Sequence, residues 1–236
     1  MQSKGIFYAV SIGPGGADML TLQALNVLNN VSVIAYPQTS NAKNIALDCI
    51  KQIIDLSEKT LLKCNFTMKK SEREKNYQEA LSLCSKELDK GKDVAFISLG
   101  DVSLYSTADH ILALLKQNGY EVRAIAGVSS VFAASCAAVK ELSKNDLPIT
   151  IISGDSAFCN KQIEQYLDRK GSKVFLKCAL HLKEILNIII KKDLIEHCVL
   201  IQNVTMQQEH IWTGIELLNL EKEVFAHSYL CVLIVF

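Results

Sequence analysis

Net charge is the first thing this 236-residue sequence lacks: 25 lysines and arginines balance 25 aspartates and glutamates. It has no basic tail and no segment alternating aromatic with basic residues, so the composition gives no reason to expect nucleic acid. A local anion site stays compatible with that balance, because net charge says nothing about a single cleft. The longest apolar stretches fall short of a membrane span. The opening MQSKGIFYAVSIGPGG lacks a signal-peptide pattern, since its short apolar run leads straight into a glycine loop. The expectation is a soluble, cytoplasmic chain without a membrane partner.

Metal and nucleophile signatures are missing too. The eight cysteines form no CxxC and no cluster with ligand spacing. Several lie in apolar context and read as reduced core residues. The five histidines make no HExxH and no close pair, so no metal is expected. His197 adjoins Cys198, but neighbours in a strand point to opposite faces. No GxSxG elbow is present. Ser129 and Ser130 have no recognisable base and read as helix caps or ligand hydrogen bonders.

What is present is a recurring unit of strand, glycine, hydroxyl. DVAFISLGDVSLYST, residues 93–107, carries an apolar run that stops at Gly100, displays Asp101, and continues through Ser103, Tyr105, Ser106 and Thr107. Glycine turns the backbone there without a Cβ clash, and open α/β sheets bind ligands beyond the carboxyl ends of their strands. The same residues also fit an ordinary turn with a helix cap. Residues 6–12 followed by GPGG, and 120–125 followed by AGVSS, repeat the pattern. GPGG fits neither the dinucleotide fingerprint nor a P-loop, so it either approaches a ligand or makes a tight turn.

Alternating strands and helices up to about residue 120 predict a mostly parallel sheet covered on both faces. The second half has a longer strand run and ends in a β-prone stretch at 226–236, the mark of an edge or return strand and a mixed sheet. The fold class is therefore α/β: two α/β domains, 1–120 and 121–236, fit the alternation better than one continuous barrel, which periodicity alone leaves open. The awkward piece LLKCNFTMKKSEREKNY interleaves Lys63, Lys69, Lys70, Arg73 and Lys75 with aromatic residues. It reads as a solvated loop or as a cationic flap over a flat anionic ligand. Such loops suit transfer chemistry in which an activated cofactor is mainly positioned.

YAVSIGPGGADMLTLQAL, VIAYP, GKDVAFISLGDVSLYST, VRAIAGVSSVFAASC and SYLCVLIVF, in this order, resemble the tetrapyrrole methylase family along almost the whole chain. FTMKK ahead of EREKNYQEALSLCSKELDKGKDVAF is most similar to the branch methylating C20 of precorrin-2 or cobalt-factor II in cobalamin biosynthesis. The resemblance implies S-adenosylmethionine as methyl donor in a ligand cleft between the two α/β domains, a reduced tetrapyrrole as substrate, and a homodimer. It assigns cofactor contacts to Gly100, Asp101, Leu104, Ser129, Ser130, Leu176, Val204 and Thr205. Pro14 and Gly15 in the first loop, with Tyr36, Tyr105, Lys63, Lys69, Lys70, Arg73 and Arg123, are its substrate-side candidates. No catalytic base is identified. Methylation at another ring carbon of a cobalamin or sirohaem precursor, or ligand binding without turnover, are the alternatives. The family usually has proline where Val102 and Ala126 stand, methionine-lysine where Leu176-Lys177 stands, and aspartate-proline at Gly16-Ala17. Loss of proline is expected to loosen a turn, and Leu for Met to preserve apolar volume.

Overall fold

The computed structural model describes residues 3–39, 44–67, 70–144, 146–154, 160–220 and 230–236. The chain divides into two compact units, Met1–Ser129 and Ser130–Phe236. The division falls after Ser129 rather than near residue 120, because the strand following residue 120 pairs with the first strand of the chain.

The first unit runs β1 (Phe7–Ser11), α1 (Leu22–Asn30), β2 (Val33–Thr39), α2 (Ile45–Ile50), β3 (Thr60–Phe66), α3 (Arg73–Leu88), β4 (Val94–Ser98), α4 (Thr107–Gln117) and β5 (Val122–Ile125). Every pairing is parallel, in the order β3-β2-β4-β1-β5. Phe7, Ala9, Val94 and Phe96 pack beneath α3 and α4, while Val10, Ala95 and Ile97 pack beneath α1 and α2. That is why these strands read as unbroken apolar runs: both of their faces are buried. Thr21 caps α1 by accepting the Ala24 N–H at 3.1 Å, and Ser106 caps α4 by accepting the Ala108 N–H at 3.1 Å.

From β1 the chain crosses one face toward β2, and from β4 it crosses the other face toward β5. The reversal opens a crevice between β1 and β4 at their carboxyl ends, the place where open α/β sheets hold ligands.

Two features of β3 and its neighbour matter here, and the first corrects the loop reading. Residues 60–66 form edge strand β3, so Lys63 stands on a sheet edge opposite Tyr36 and not in a loop or flap. β2 also continues through Pro37, where its β4 ladder has already ended at Ala35 and only β3 runs alongside. A residue without an N–H is tolerated at such a position.

The second unit runs α5 (Ser130–Ala137), β6 (Ile149–Ser153), α6 (Asn160–Leu167), β7 (Ser172–Leu176), α7 (Leu182–Lys191), β8 (Cys198–Gln202), β9 (His210–Thr213) and β10 (Cys231–Val235). Its sheet is mixed, in the order β6-β7-β10-β8-β9. β6 and β7 are parallel, and β10 runs antiparallel to both β7 and β8. The final strand is a return strand through the middle of the sheet, not an edge, and all five of its residues are buried. Ile163, Leu167, Ile185 and Ile189 of α6 and α7 pack on Phe175, Leu200 and Leu233, while α5 packs on β10. β9 escaped the sequence reading because its four residues, HIWT, are half-buried or exposed. No helix among the described residues is long and apolar enough to cross a membrane.

Candidate functional site

Three loops meet at the carboxyl edge of the first sheet. The Gly100 N–H donates to the Gly13 carbonyl at 2.7 Å, so the loops after β4 and β1 form a bridge across the crevice. The loop after β5 packs onto both. A Cβ on Gly127 would lie 2.4 Å from Ser11 Cβ and 3.2 Å from the Gly100 carbonyl oxygen, so only glycine fits. The Thr21 hydroxyl reaches the Ala126 carbonyl at 3.4 Å.

Asp101 fastens this arrangement. One carboxylate oxygen accepts the Gly127 N–H at 2.7 Å, and the other accepts the Ser103 N–H at 2.8 Å and the Ser103 hydroxyl. Burial works against its ionisation, but the Ser103 hydroxyl, the Gly127 N–H and the Ser103 N–H outweigh that, holding the carboxyl below its ordinary range. The loops are therefore clamped by an anion. Ser98 and Ser106 hydroxyls pair at 2.9 Å behind it. Tyr105, 45% exposed, takes a left-handed backbone with φ of 52°.

Ser11 is a contributor the sequence reading missed. It is 0% exposed, and its hydroxyl accepts the Val102 N–H at 2.9 Å. The one signal was a hydroxyl at the end of an apolar strand. The departure at Val102 takes on a different meaning here, since proline would have no N–H to give Ser11. Far from loosening the turn, Val102 ties it to β1.

In the second unit β6, β7 and β8 all point their carboxyl ends toward one edge, since β7 and β8 are both antiparallel to β10. Leu176, 7% exposed, accepts the Gly154 N–H at 2.6 Å through its carbonyl. Lys177, Asn203 and Thr205 follow the strand ends with φ of 53°, 53° and 67°. Left-handed backbone is uncommon for lysine and for β-branched threonine, though asparagine tolerates it, and such strain clusters at functional sites. Val204 is buried, and the Thr205 N–H donates to a Glu209 carboxylate oxygen at 2.7 Å.

The structure thus brings Gly100 and Asp101 together with the 126–129 loop, while Leu104 follows one turn on, its N–H on the Asp101 carbonyl at 3.2 Å. Ser129 is buried, and Ser130 opens α5. Pro14 and Gly15 are buried, and the Cys49 thiol donates to the Gly15 carbonyl at 2.7 Å, drawing the first loop inward toward α2. Tyr36 packs half-buried on the α1–α2 side. Arg123 is not brought to the loops: it pairs with Glu121 at 2.7 Å beside Tyr8. Arg73 opens α3 and is exposed, Lys70 opens a short 3-10 turn ahead of it, and Lys69 lies outside the described residues.

These features define an α/β protein whose first, doubly wound sheet ends in glycine loops fastened to one another through Asp101. The profile of the tetrapyrrole (corrin/porphyrin) methylases matches residues 7–216, and the chain belongs to that family. A Methanocaldococcus jannaschii protein named "Probable cobalt-precorrin-2 C(20)-methyltransferase" is 33% identical over 214 residues, 88% of this chain and 86% of that one. A Salmonella typhimurium protein named cobalt-precorrin-2 C(20)-methyltransferase is 27% identical over 222 residues, 92% and 91% of the two chains. Among solved structures, a cobalt precorrin-4 methyltransferase superposes with a TM-score of 0.72 at 19% identity, covering 98% of this chain and 94% of that one. A Thermus thermophilus uroporphyrin-III C-methyl transferase complexed with S-adenyl homocysteine gives 0.66 at 16% identity, covering 98% and 92%.

Proposed function

We propose that this chain transfers the methyl group of S-adenosylmethionine to C20 of a precorrin-2-type ring, metal-free or cobalt-loaded, in cobalamin biosynthesis. One observation carries this reading: two relatives sharing that printed activity align over about nine-tenths of the chain. The residues of the first unit fit the cofactor. Asp101 stays ionised and suits the donor's hydroxyl and ammonium groups with its remaining lone pairs. Gly100, with no atom within 4 Å of where a Cβ would stand, leaves room for close approach of a ligand.

S-adenosylmethionine, when bound, supplies an electrophilic methyl on its sulfonium. The chain's own part is to bind and orient. Gly100, Asp101, Leu104, Ser129 and Ser130 hold the donor, and Leu176, Val204 and Thr205 add contacts from the second unit's strand ends. C20 of a reduced ring is electron-rich and enamine-like, so positioning supplies most of the required assistance. Held there, the donor would supply its methyl group to C20 and leave as S-adenosylhomocysteine, with the C20 proton released afterwards; no residue is assigned as the base. A reducing cytoplasm belongs to the same reading and agrees with the buried, unbridged Cys178 and Cys231 thiols; a homodimer belongs to it too, and light scattering tests that.

The test is a side-by-side incubation with precorrin-2 and cobalt-factor II. The expected result is one added methyl, with NMR locating it at C20. A new methyl on a pyrrole carbon would transfer the chain to another step of the pathway. Cofactor binding without transfer to either ring would make it a binding protein.

A further inference from the structure

The second unit also contains a pocket away from its strand-end loops. A cavity of about 620 Å³ opens at the edge where β7 and β8 begin, opposite the edge holding Leu176 and Thr205. That volume lies within the range of small-molecule sites. Lys140, Lys144, Arg169, Lys170 and Lys173 line it, and among the described lining residues Glu141 is the one acidic side chain.

Lys173 is the most telling of these. It stands on β7 opposite Val235, only 7% exposed. Among the described residues no ion pair or hydrogen bond takes up its ammonium. Asp168, the acid whose charge it feels, is already held by Lys192 at 2.6 Å. Burial accordingly pushes the Lys173 ammonium below the usual lysine range. Lys140 lies over the Phe236 ring at 5.1 Å. Lys140 and Lys173 both line the pocket.

Cations lining one pocket repel one another in the free protein, and a multivalent anion among them offsets that cost. Phe236, Leu142 and Leu147 add apolar surface beside the charges. We propose that this pocket binds a small multivalent oxyanion, phosphate- or carboxylate-bearing, with an apolar or aromatic part. Four of the five cations are lysines, point charges that suit the spread charge of a polyphosphate better than a flat carboxylate fork.

Isothermal titration calorimetry of the whole chain in about 0.15 M salt, with ATP, tripolyphosphate and citrate in parallel, tests this. The expected result is saturable binding of ATP or tripolyphosphate, weakened about tenfold or more in the double variant Lys140→Glu/Lys170→Glu. Both residues are exposed, so the fold should tolerate the change, and Lys173→Met, checked by circular dichroism, gives a second reading from within the pocket. Lys116→Glu, a charge reversal on exposed α4 of the other unit, leaves binding unchanged. Saturation by citrate alone identifies a carboxylate ligand. No saturable heat from any of the three up to about 5 mM, or binding indifferent to reversal at Lys140 and Lys170, overturns the proposal. The readout is binding, not methyl transfer, so its outcome is independent of the proposed activity.

Discussion

Both units present the carboxyl ends of parallel strands, but they close those ends in different ways. Residues 1–129 use glycine packing and an anionic clamp: Gly13 against Gly100, Gly127 against Ser11, and Asp101 across to Gly127. Residues 130–236 use one glycine, Gly154, and three left-handed residues with side chains, Lys177, Asn203 and Thr205. The first arrangement depends on the absence of atoms, so adding one should be felt at once. The second stores its shape as backbone strain, so removing a side chain should cost little or even help.

The largest effect is expected from Gly127→Ala. A methyl group 2.4 Å from Ser11 Cβ must shift the loop. Displacement of that size predicts about a hundredfold weaker S-adenosylmethionine binding in a titration, with overpacking costing about 1–3 kcal/mol in urea unfolding. Asp101→Asn comes next, with binding weakened about tenfold to a hundredfold. Its pH dependence is specific. A carboxyl held below its ordinary range in the folded state stabilises fully above the unfolded value of about 3.9. That contribution is lost as pH falls through the lower folded value. Urea midpoints of wild type and Asp101→Asn should therefore differ by a constant amount near neutrality and converge in strong acid.

Ser11→Ala leaves the buried Val102 N–H unpaired and should cost about 1–3 kcal/mol in urea unfolding. The smallest change is expected in the second unit. Thr205→Gly relieves a β-branched residue at φ of 67° and should move stability by less than about 1 kcal/mol while still weakening cofactor binding. A loss as large as that of Gly127→Ala would erase the contrast between the two units.

That contrast also explains what the sequence made legible. Glycine after an apolar run is visible in a string of letters, so the loops at Gly13, Gly100 and Gly127 could be marked, and Asp101 beside one of them stood out. Lys177 and Thr205 look like ordinary residues. Their backbone is imposed by tertiary pairing, such as the Asn203 N–H on the Leu230 carbonyl at 2.9 Å, and no local preference announces it. Thr205 was marked through family resemblance alone, and Lys177 was not marked at all. β3 was misread as a loop because an edge strand alternates exposed lysine with buried cysteine, and its charges masked the period of two. The domain boundary came nine residues early because β5 returns to β1, a long-range pairing that periodicity does not encode.

A crystal structure of the chain with S-adenosylhomocysteine tests the central claim most directly. The account predicts the ligand against Gly100 and Asp101, with the Asp101 carboxylate accepting a hydrogen bond from it and still holding the Gly127 N–H. A ligand bound away from the Gly100–Gly127 contact, with Asp101 facing only solvent, would contradict it.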